Sequence, residues 1–283
     1  MGTITVGHEN SASIELYYED LGSGPPVVLL HGWPLDSRSW EPQLHPLLES
    51  GHRVILYDRR GFGRSSRPAG GYDFDTLAAD LHQVMTGLDL RDATVIGFSL
   101  GTGELARYVG VYGTERLRRC VFIESLAPSF AKSDENPEGV DPAGVAGVQQ
   151  AILDDRFKWL TGLTSDFLNL DDYLRTRVSE DTVRAIWNAG SEASPIATWA
   201  CPPGWLDDFS QDIKRIDVPT LILHGTADRI LPIAGQGRRL HAALPDARYV
   251  EIEGGPHVMC VSHADEVNRE LLSFLREPAP VAA

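Results

Sequence analysis

The sequence contains few cysteines. Three occur among its 283 residues, and none of Cys120, Cys201 and Cys260 lies in a C-x-x-C pair. An odd, widely spaced set does not form a disulfide framework, and it lacks the spacing of a zinc or haem-attachment site. We therefore expect three buried, free thiols.

Positive charge and long apolar runs are also scarce. The chain carries 25 Lys and Arg against 40 Asp and Glu, a formal charge of −15, and its basic residues form no block. This pattern excludes a surface that follows a phosphate backbone, so we expect no nucleic-acid partner and no binding to anionic lipid. The longest apolar run, around PPVVLL, is too short for a bilayer, and residues 1–20 lack a secretory signal pattern. We expect a cytoplasmic protein.

What the sequence does contain is a succession of short, continuous apolar runs. Such runs are typical of strands buried on both faces, and they occur as VVLLHG, RVILYD and ATVIGF. Further strands are predicted over RCVFIES, TLILHG and RYVEIEG. Amphipathic helical segments lie between several of them, for example DTLAADLHQVMTGLD. This alternation requires right-handed crossovers and predicts an α/β fold with a mostly parallel sheet.

The middle of the chain differs in composition. From residue 127 to residue 210, aromatic, acidic and proline-rich pieces replace the β-branched runs. We expect a helical cap over 127–210, inserted into a core formed by residues 1–126 and 211–283. Such a cap would lie over the carboxyl ends of the strands, where open α/β sheets bind ligands.

One serine is surrounded by glycines. Residues 97–101 read Gly-Phe-Ser-Leu-Gly, a G-x-S-x-G motif with a predicted strand before it and a predicted helix after it. A strand that turns at once into a helix strains its pivot residue and brings backbones too close for side chains beside it. The motif therefore predicts Ser99 as a nucleophile, although a serine here can also be a simple helix N-cap.

A serine nucleophile needs a base and an acid that orients the base. Asp228 follows the run TLILHG, and His257 follows the last predicted strand. The order Ser, Asp, His, with each residue just beyond a strand, fits the α/β-hydrolase arrangement and predicts a triad of Ser99, His257 and Asp228. Glu124, near the end of RCVFIES, is an alternative acid, and His224 is expected to satisfy a local hydrogen bond.

Acyl transfer also needs donors for the oxyanion. The N–H of Leu100, directly after the nucleophile, is one candidate, and the loop after VVLLHG should supply the second. That loop reads His-Gly-Trp-Pro over residues 31–34. We therefore expect the N–H of Trp33 to be the second donor, with Pro34 fixing the backbone beyond it.

Taken together, the segments HGWPLDSRSW, YDRRGFGRSS, GFSLGTGELARYV, LILHGTADRILP and EGGPHVM resemble the cofactor-free bacterial haloperoxidase (perhydrolase) branch of the α/β-hydrolases, which is close to aryl esterases and γ-lactamases. The resemblance implies an eight-stranded, mostly parallel sheet with a helical cap after strand 6. It also implies the triad and oxyanion donors given above, small acyl substrates, and a homo-oligomer. In this branch a proline at the position of Pro34 is associated with attack of hydrogen peroxide on the acyl-enzyme. The peracid that forms would oxidise halide without haem, flavin or metal, so we expect no cofactor.

Other functions fit the same residues. Plain aryl-ester hydrolysis and the opening of γ-lactams or lactones use the same triad chemistry, so the triad does not distinguish them. A hydrolase-fold ligand receptor is the non-enzymatic alternative, because a fold does not fix a function.

Overall fold

The computed structural model describes residues 1–277 and contains an eight-stranded sheet. Residues 278–283, the end of the predicted core segment, lie outside the described residues. The strands are β1 (Gly2–Glu9), β2 (Ala12–Gly22), β3 (Pro26–Leu30), β4 (Arg53–Tyr57), β5 (Ala93–Phe98), β6 (Leu117–Ile123), β7 (Thr220–Gly225) and β8 (Arg248–Ile252). Their spatial order is β1-β2-β4-β3-β5-β6-β7-β8.

Most of the sheet is parallel. Only the pairs β1·β2 and β2·β4 are antiparallel, while the pairs from β4 to β8 are parallel. Every residue of β5 and β7 is buried, as expected of strands covered on both faces. The predicted α/β fold with a mostly parallel sheet is therefore confirmed.

The helices cover both faces of the sheet and the edge at which its strands end. They are α1 (Glu41–Glu49), α2 (Phe74–Gly87), α3 (Leu100–Tyr112), α4 (Pro142–Leu168), α5 (Leu170–Tyr173), α6 (Glu180–Glu192), α7 (Pro195–Ala200), α8 (Ser210–Ile213), α9 (Gly237–Ala243), α10 (Met259–Ser262) and α11 (Ala264–Arg276). Short 3₁₀ segments span Ser37–Trp40 and Pro202–Leu206. Within α4, the backbone leaves the helical conformation at Asp155.

Two apolar clusters lie on opposite faces of the sheet. Val28 and Leu30 of β3 belong to one cluster, while Val27 and Leu29 belong to the other, because successive side chains of a strand point to opposite faces. All three cysteines are buried and free, as predicted.

The chain between β6 and β7 is helical, as expected for a cap after strand 6, and contains α4 to α8. Helix α8 begins at residue 210, so it crosses the predicted boundary between cap and core. The division into a core and a separate cap domain stays a prediction. Within residues 1–277, no helix combines the length and the apolar character needed to cross a bilayer.

Candidate active site

Ser99 lies at the turn between β5 and α3. Its backbone adopts φ 52° and ψ −119°, a conformation that non-glycine residues rarely adopt. A Cβ on Gly97 would lie 2.5 Å from the carbonyl oxygen of Gly101, and a Cβ on Gly101 would lie 2.5 Å from that of Leu30. The glycines therefore allow the backbone approach that the sequence predicted, and the turn presents the hydroxyl beside the first turn of α3.

Asp228 and His257 meet Ser99 at the same edge of the sheet. Nε2 of His257 lies 3.0 Å from Oγ of Ser99, and Nδ1 of His257 lies 2.8 Å from Oδ2 of Asp228. Asp228 follows β7 and His257 follows β8, so the two residues come from neighbouring strands. The structure thus brings the three predicted triad residues into one hydrogen-bonded chain.

Asp228 has enough donors to be a stable buried anion. Its Oδ1 accepts hydrogen bonds from the N–H groups of Ile230 (2.7 Å) and Leu231 (2.9 Å), and Oδ2 accepts from His257. Burial alone would raise the pKa of Asp228, but the charge and hydrogen bond of His257 outweigh burial and lower this pKa to about 2. An ionised Asp228 keeps the proton of His257 on Nδ1, which leaves Nε2 to accept a proton from Ser99.

The imidazole of His257 packs against two phenylalanine rings. The ring centroids of Phe98 and Phe167 lie 5.3 Å and 4.9 Å from its centroid. Phe167 belongs to α4, and its carbonyl accepts a hydrogen bond of 2.9 Å from the N–H of Val258. The end of α4 therefore fixes the ring of His257 and shields it from water.

The predicted oxyanion donors lie beside Ser99. Trp33, Leu100 and Ser99 line the same cavity, and a Cβ on Gly32 would lie 3.2 Å from Cβ of Ser99. Among residues 1–277, the N–H groups of Trp33 and Leu100 have no hydrogen-bond acceptor, so both are available to an oxygen of a ligand. Pro34 is buried directly after Trp33, and the bond between them is cis.

The cavity at Ser99 is small and apolar. Its volume is about 40 Å³, and besides Ser99 and His257 it is lined by Trp33, Leu100, Leu126, Phe130, Leu163, Phe167, Trp205, Ile230 and Leu231. Three aromatic residues of the predicted cap reach the cavity: Phe130, Phe167 and Trp205. Trp159 packs against Trp33, with ring centroids 5.3 Å apart. The sequence did not predict the aliphatic part of the lining, because aliphatic residues at a site cannot be told from ordinary core residues in a sequence.

A second buried network, also missed, supports the loop that carries the predicted donor Trp33. The N–H of Arg59 donates to Nε2 of His31 (3.1 Å), and Nδ1 of His31 lies 2.9 Å from the carbonyl oxygen of Gly32. The side chain of Arg59 pairs with Glu104 of α3, which also accepts from Tyr57. Burial lowers the pKa of His31 well below its usual range, so His31 is neutral. The network therefore connects the donor loop to the helix that follows Ser99.

Two further buried groups lie behind Asp228. Nε2 of His224 donates to the carbonyl of Leu231 (2.8 Å), so the prediction of a local hydrogen bond is confirmed. Nε2 also lies 3.0 Å from Oε2 of Glu124, and ligand atoms of Glu124, His224 and Asp228 lie within 4.8 Å of one another. That spacing suits a metal ion, but Nε2 of His224 and both oxygens of Asp228 are already engaged in hydrogen bonds. Asp228, and not Glu124, faces His257.

Comparison with known proteins gives a consistent set of relatives. The model of the alpha/beta hydrolase fold family matches residues 25–264. A protein of Synechocystis sp. named "Putative non-heme chloroperoxidase" is 50% identical over 276 residues, which cover 98% of this chain and 100% of that protein. The "Bifunctional esterase/perhydrolase DCH" of Acinetobacter calcoaceticus is 30% identical, over 93% of this chain and 96% of its own length. A crystal structure of a bromoperoxidase from Bacillus anthracis superposes with a TM-score of 0.93 at 43% identity, covering 98% of this chain and 99% of that one.

Proposed function

The chain belongs to the alpha/beta hydrolase fold family, and from this membership we propose that it is a serine hydrolase that forms an acyl-enzyme at Ser99 and passes the acyl group to water or to hydrogen peroxide. The observation that carries the proposal is the hydrogen-bonded chain from Ser99 Oγ through His257 to Asp228, with contacts of 3.0 Å and 2.8 Å. These distances suit a nucleophile, a general base and an orienting acid.

In the first step Ser99 attacks the carbonyl carbon of a small ester or carboxylic acid. Nε2 of His257 takes the hydroxyl proton and then gives it to the leaving alcohol or water, while Asp228 stabilises the imidazolium. The N–H groups of Trp33 and Leu100 bind the oxyanion, and the loss of one such donor typically costs about 3 kcal/mol.

In the second step water or peroxide attacks the acyl-enzyme. His257 takes a proton from the attacking oxygen and returns it to Oγ of Ser99, which leaves as the acyl bond breaks. Water yields the carboxylic acid, and hydrogen peroxide yields the peracid. A released peracid oxidises bromide or chloride to the hypohalous acid and is itself reduced to the carboxylic acid.

The size and lining of the cavity support short, uncharged acyl groups. Its volume of about 40 Å³ is only a few times the roughly 10–15 Å³ that a cavity needs to hold one water, so it admits only a small group. A charged acyl group would lose its hydration among aromatic and aliphatic walls without gaining a partner. The names of the relatives, which include chloroperoxidase, bromoperoxidase, esterase and perhydrolase, support both outcomes of the second step. The homo-oligomer implied by the resemblance stays a prediction.

The test is to label the protein with an organophosphate and to follow two activities. We expect label on Ser99, and parallel loss of aryl-acetate hydrolysis and of bromination driven by acetate and peroxide. Ser99→Ala should neither react nor turn over, while the matched control Ser13→Ala, at an exposed serine of β2, should behave like the unmodified chain. Activity that survives complete labelling of Ser99 would refute the proposal.

A further inference from the structure

A second carboxyl group lies directly behind the triad acid. Glu124 follows the last residue of β6, is fully buried, and has a left-handed backbone with φ 49°. Strained, buried polar residues of this kind tend to occur at functional sites. No step of the mechanism above uses Glu124.

The two carboxyl groups differ in the donors that surround them. Asp228 accepts from two backbone N–H groups and from His257. Glu124 accepts from one N–H, that of Gly225 at 2.9 Å on Oε1, while its buried Oε2 receives no hydrogen bond. A buried carboxylate is stable only when hydrogen-bond donors surround it. The donors present here are enough for one carboxylate anion and not for two.

His224 does not supply the missing charge. Its Nε2–H is directed at the carbonyl of Leu231, and its buried Nδ1 has no partner. An imidazolium would place an unpaired N–H at Nδ1, so the neutral form fits the surroundings. Burial also lowers the pKa of His224.

We propose that Glu124 is a positioning residue that stays protonated and donates its carboxyl hydrogen to the carboxylate of Asp228. The proposal rests on the proposed function, because it concerns the acid that orients His257. A proton on Oε2 allows this oxygen to donate a hydrogen bond, and Asp228 thereby gains a fourth hydrogen-bond donor. Glu124 then holds the orientation of Asp228 and reduces the negative charge that His257 experiences.

The energetics of the pair agree with this arrangement. Burial raises the pKa of Glu124 well above its usual range, and the charge of Asp228 raises it further. Besides Asp228 and His224, the titratable groups around the pair are His257, Glu251 of β8 and the thiol of Cys260.

The direct test is infrared difference spectroscopy of the unmodified chain against Glu124→Gln, at neutral pH and without substrate. We expect the C=O stretch of a protonated, buried carboxylic acid to disappear in Glu124→Gln. Glu251→Gln, which removes a partly exposed carboxylate of β8 that pairs with Arg238, should leave that band unchanged. A spectrum in which Glu124→Gln removes only carboxylate bands would overturn the proposal. This readout does not depend on turnover, so it separates the proposal from the failure of the serine mechanism.

A kinetic test addresses the positioning role. The amide of Glu124→Gln replaces the donated hydrogen, so we expect kcat to stay within about threefold and the acid limb of the pH profile to stay within about half a pH unit. Glu124→Leu removes the donor to a charged acceptor, and we expect kcat to fall about tenfold with little change in KM. If Glu124 were ionised, Glu124→Gln would remove a negative charge beside Asp228 and move the acid limb to lower pH by one unit or more. That result would overturn the proposal.

Discussion

Replacing Glu124 with glutamine is expected to remove a pH-dependent penalty on stability. In the folded chain, burial and the charge of Asp228 raise the pKa of Glu124 well above its usual range. The unfolded chain releases this proton above about pH 4.5, whereas the folded chain keeps it. The free energy of unfolding therefore falls as pH rises, by about 1.4 kcal/mol per pH unit for one retained proton. The fall continues until the pH reaches the pKa of the folded state.

Glutamine cannot ionise, so the variant lacks this dependence. The free energy of unfolding of Glu124→Gln, minus that of the unmodified chain, should rise by about 3 kcal/mol between pH 5 and pH 7. Urea unfolding followed by tryptophan fluorescence at pH 5, 6 and 7 measures this difference. Glu251→Gln is the matched control, because Arg238 lowers the pKa of Glu251 and keeps it ionised in both states over this range. The reasoning would be refuted if the free energies of unfolding of Glu124→Gln and of the unmodified chain differed by the same amount at pH 5 and at pH 7.

Three further outcomes are expected. Pro34→Leu should lower the ratio of peracid formation to ester hydrolysis at a fixed peroxide concentration. An unchanged ratio would show that Pro34 does not influence whether water or peroxide attacks the acyl-enzyme. Glu104→Ala leaves the buried guanidinium of Arg59 unpaired, so urea unfolding should show a loss of about 3–5 kcal/mol, and a loss below about 1 kcal/mol would contradict this. The folded chain should not react with a thiol reagent until urea is added, because burial raises the pKa of all three thiols, to about 12 for two of them. These thiols belong to Cys120, Cys201 and Cys260. A thiol that reacts without urea would contradict this expectation.

The central strands could be predicted because their sequence signal is strong. β5 and β7 are buried on both faces, so almost every residue in them is apolar or small. β1 (Gly2–Glu9) was not predicted as a strand. It is an edge strand whose residues are half-buried or exposed, so its pattern is weak.

For the site, the sequence could place residues at strand ends but could not determine their mutual geometry. Glu124 and Asp228 follow the neighbouring parallel strands β6 and β7, so both were candidates for the acid. The path of the loop from residue 226 to residue 231 decides between them, because it turns the N–H groups of Ile230 and Leu231 toward Asp228. That path depends on tertiary packing, including the hydrogen bond of 2.9 Å from Asn169, between α4 and α5, to the carbonyl of Ala227.

The same loop explains why two equally buried carboxyl groups have different roles. Burial favours the neutral form of both carboxyl groups. For Asp228 the charge and hydrogen bond of His257 outweigh burial, and the loop after β7 adds two N–H groups that donate to Oδ1. A third buried carboxyl, that of Glu104, is paired with a guanidinium instead. The donors that reach each group therefore decide which carboxyl group is ionised, and the residue types alone do not. For this reason the acid that orients His257 follows from the backbone of the loop after β7 as much as from the aspartate itself.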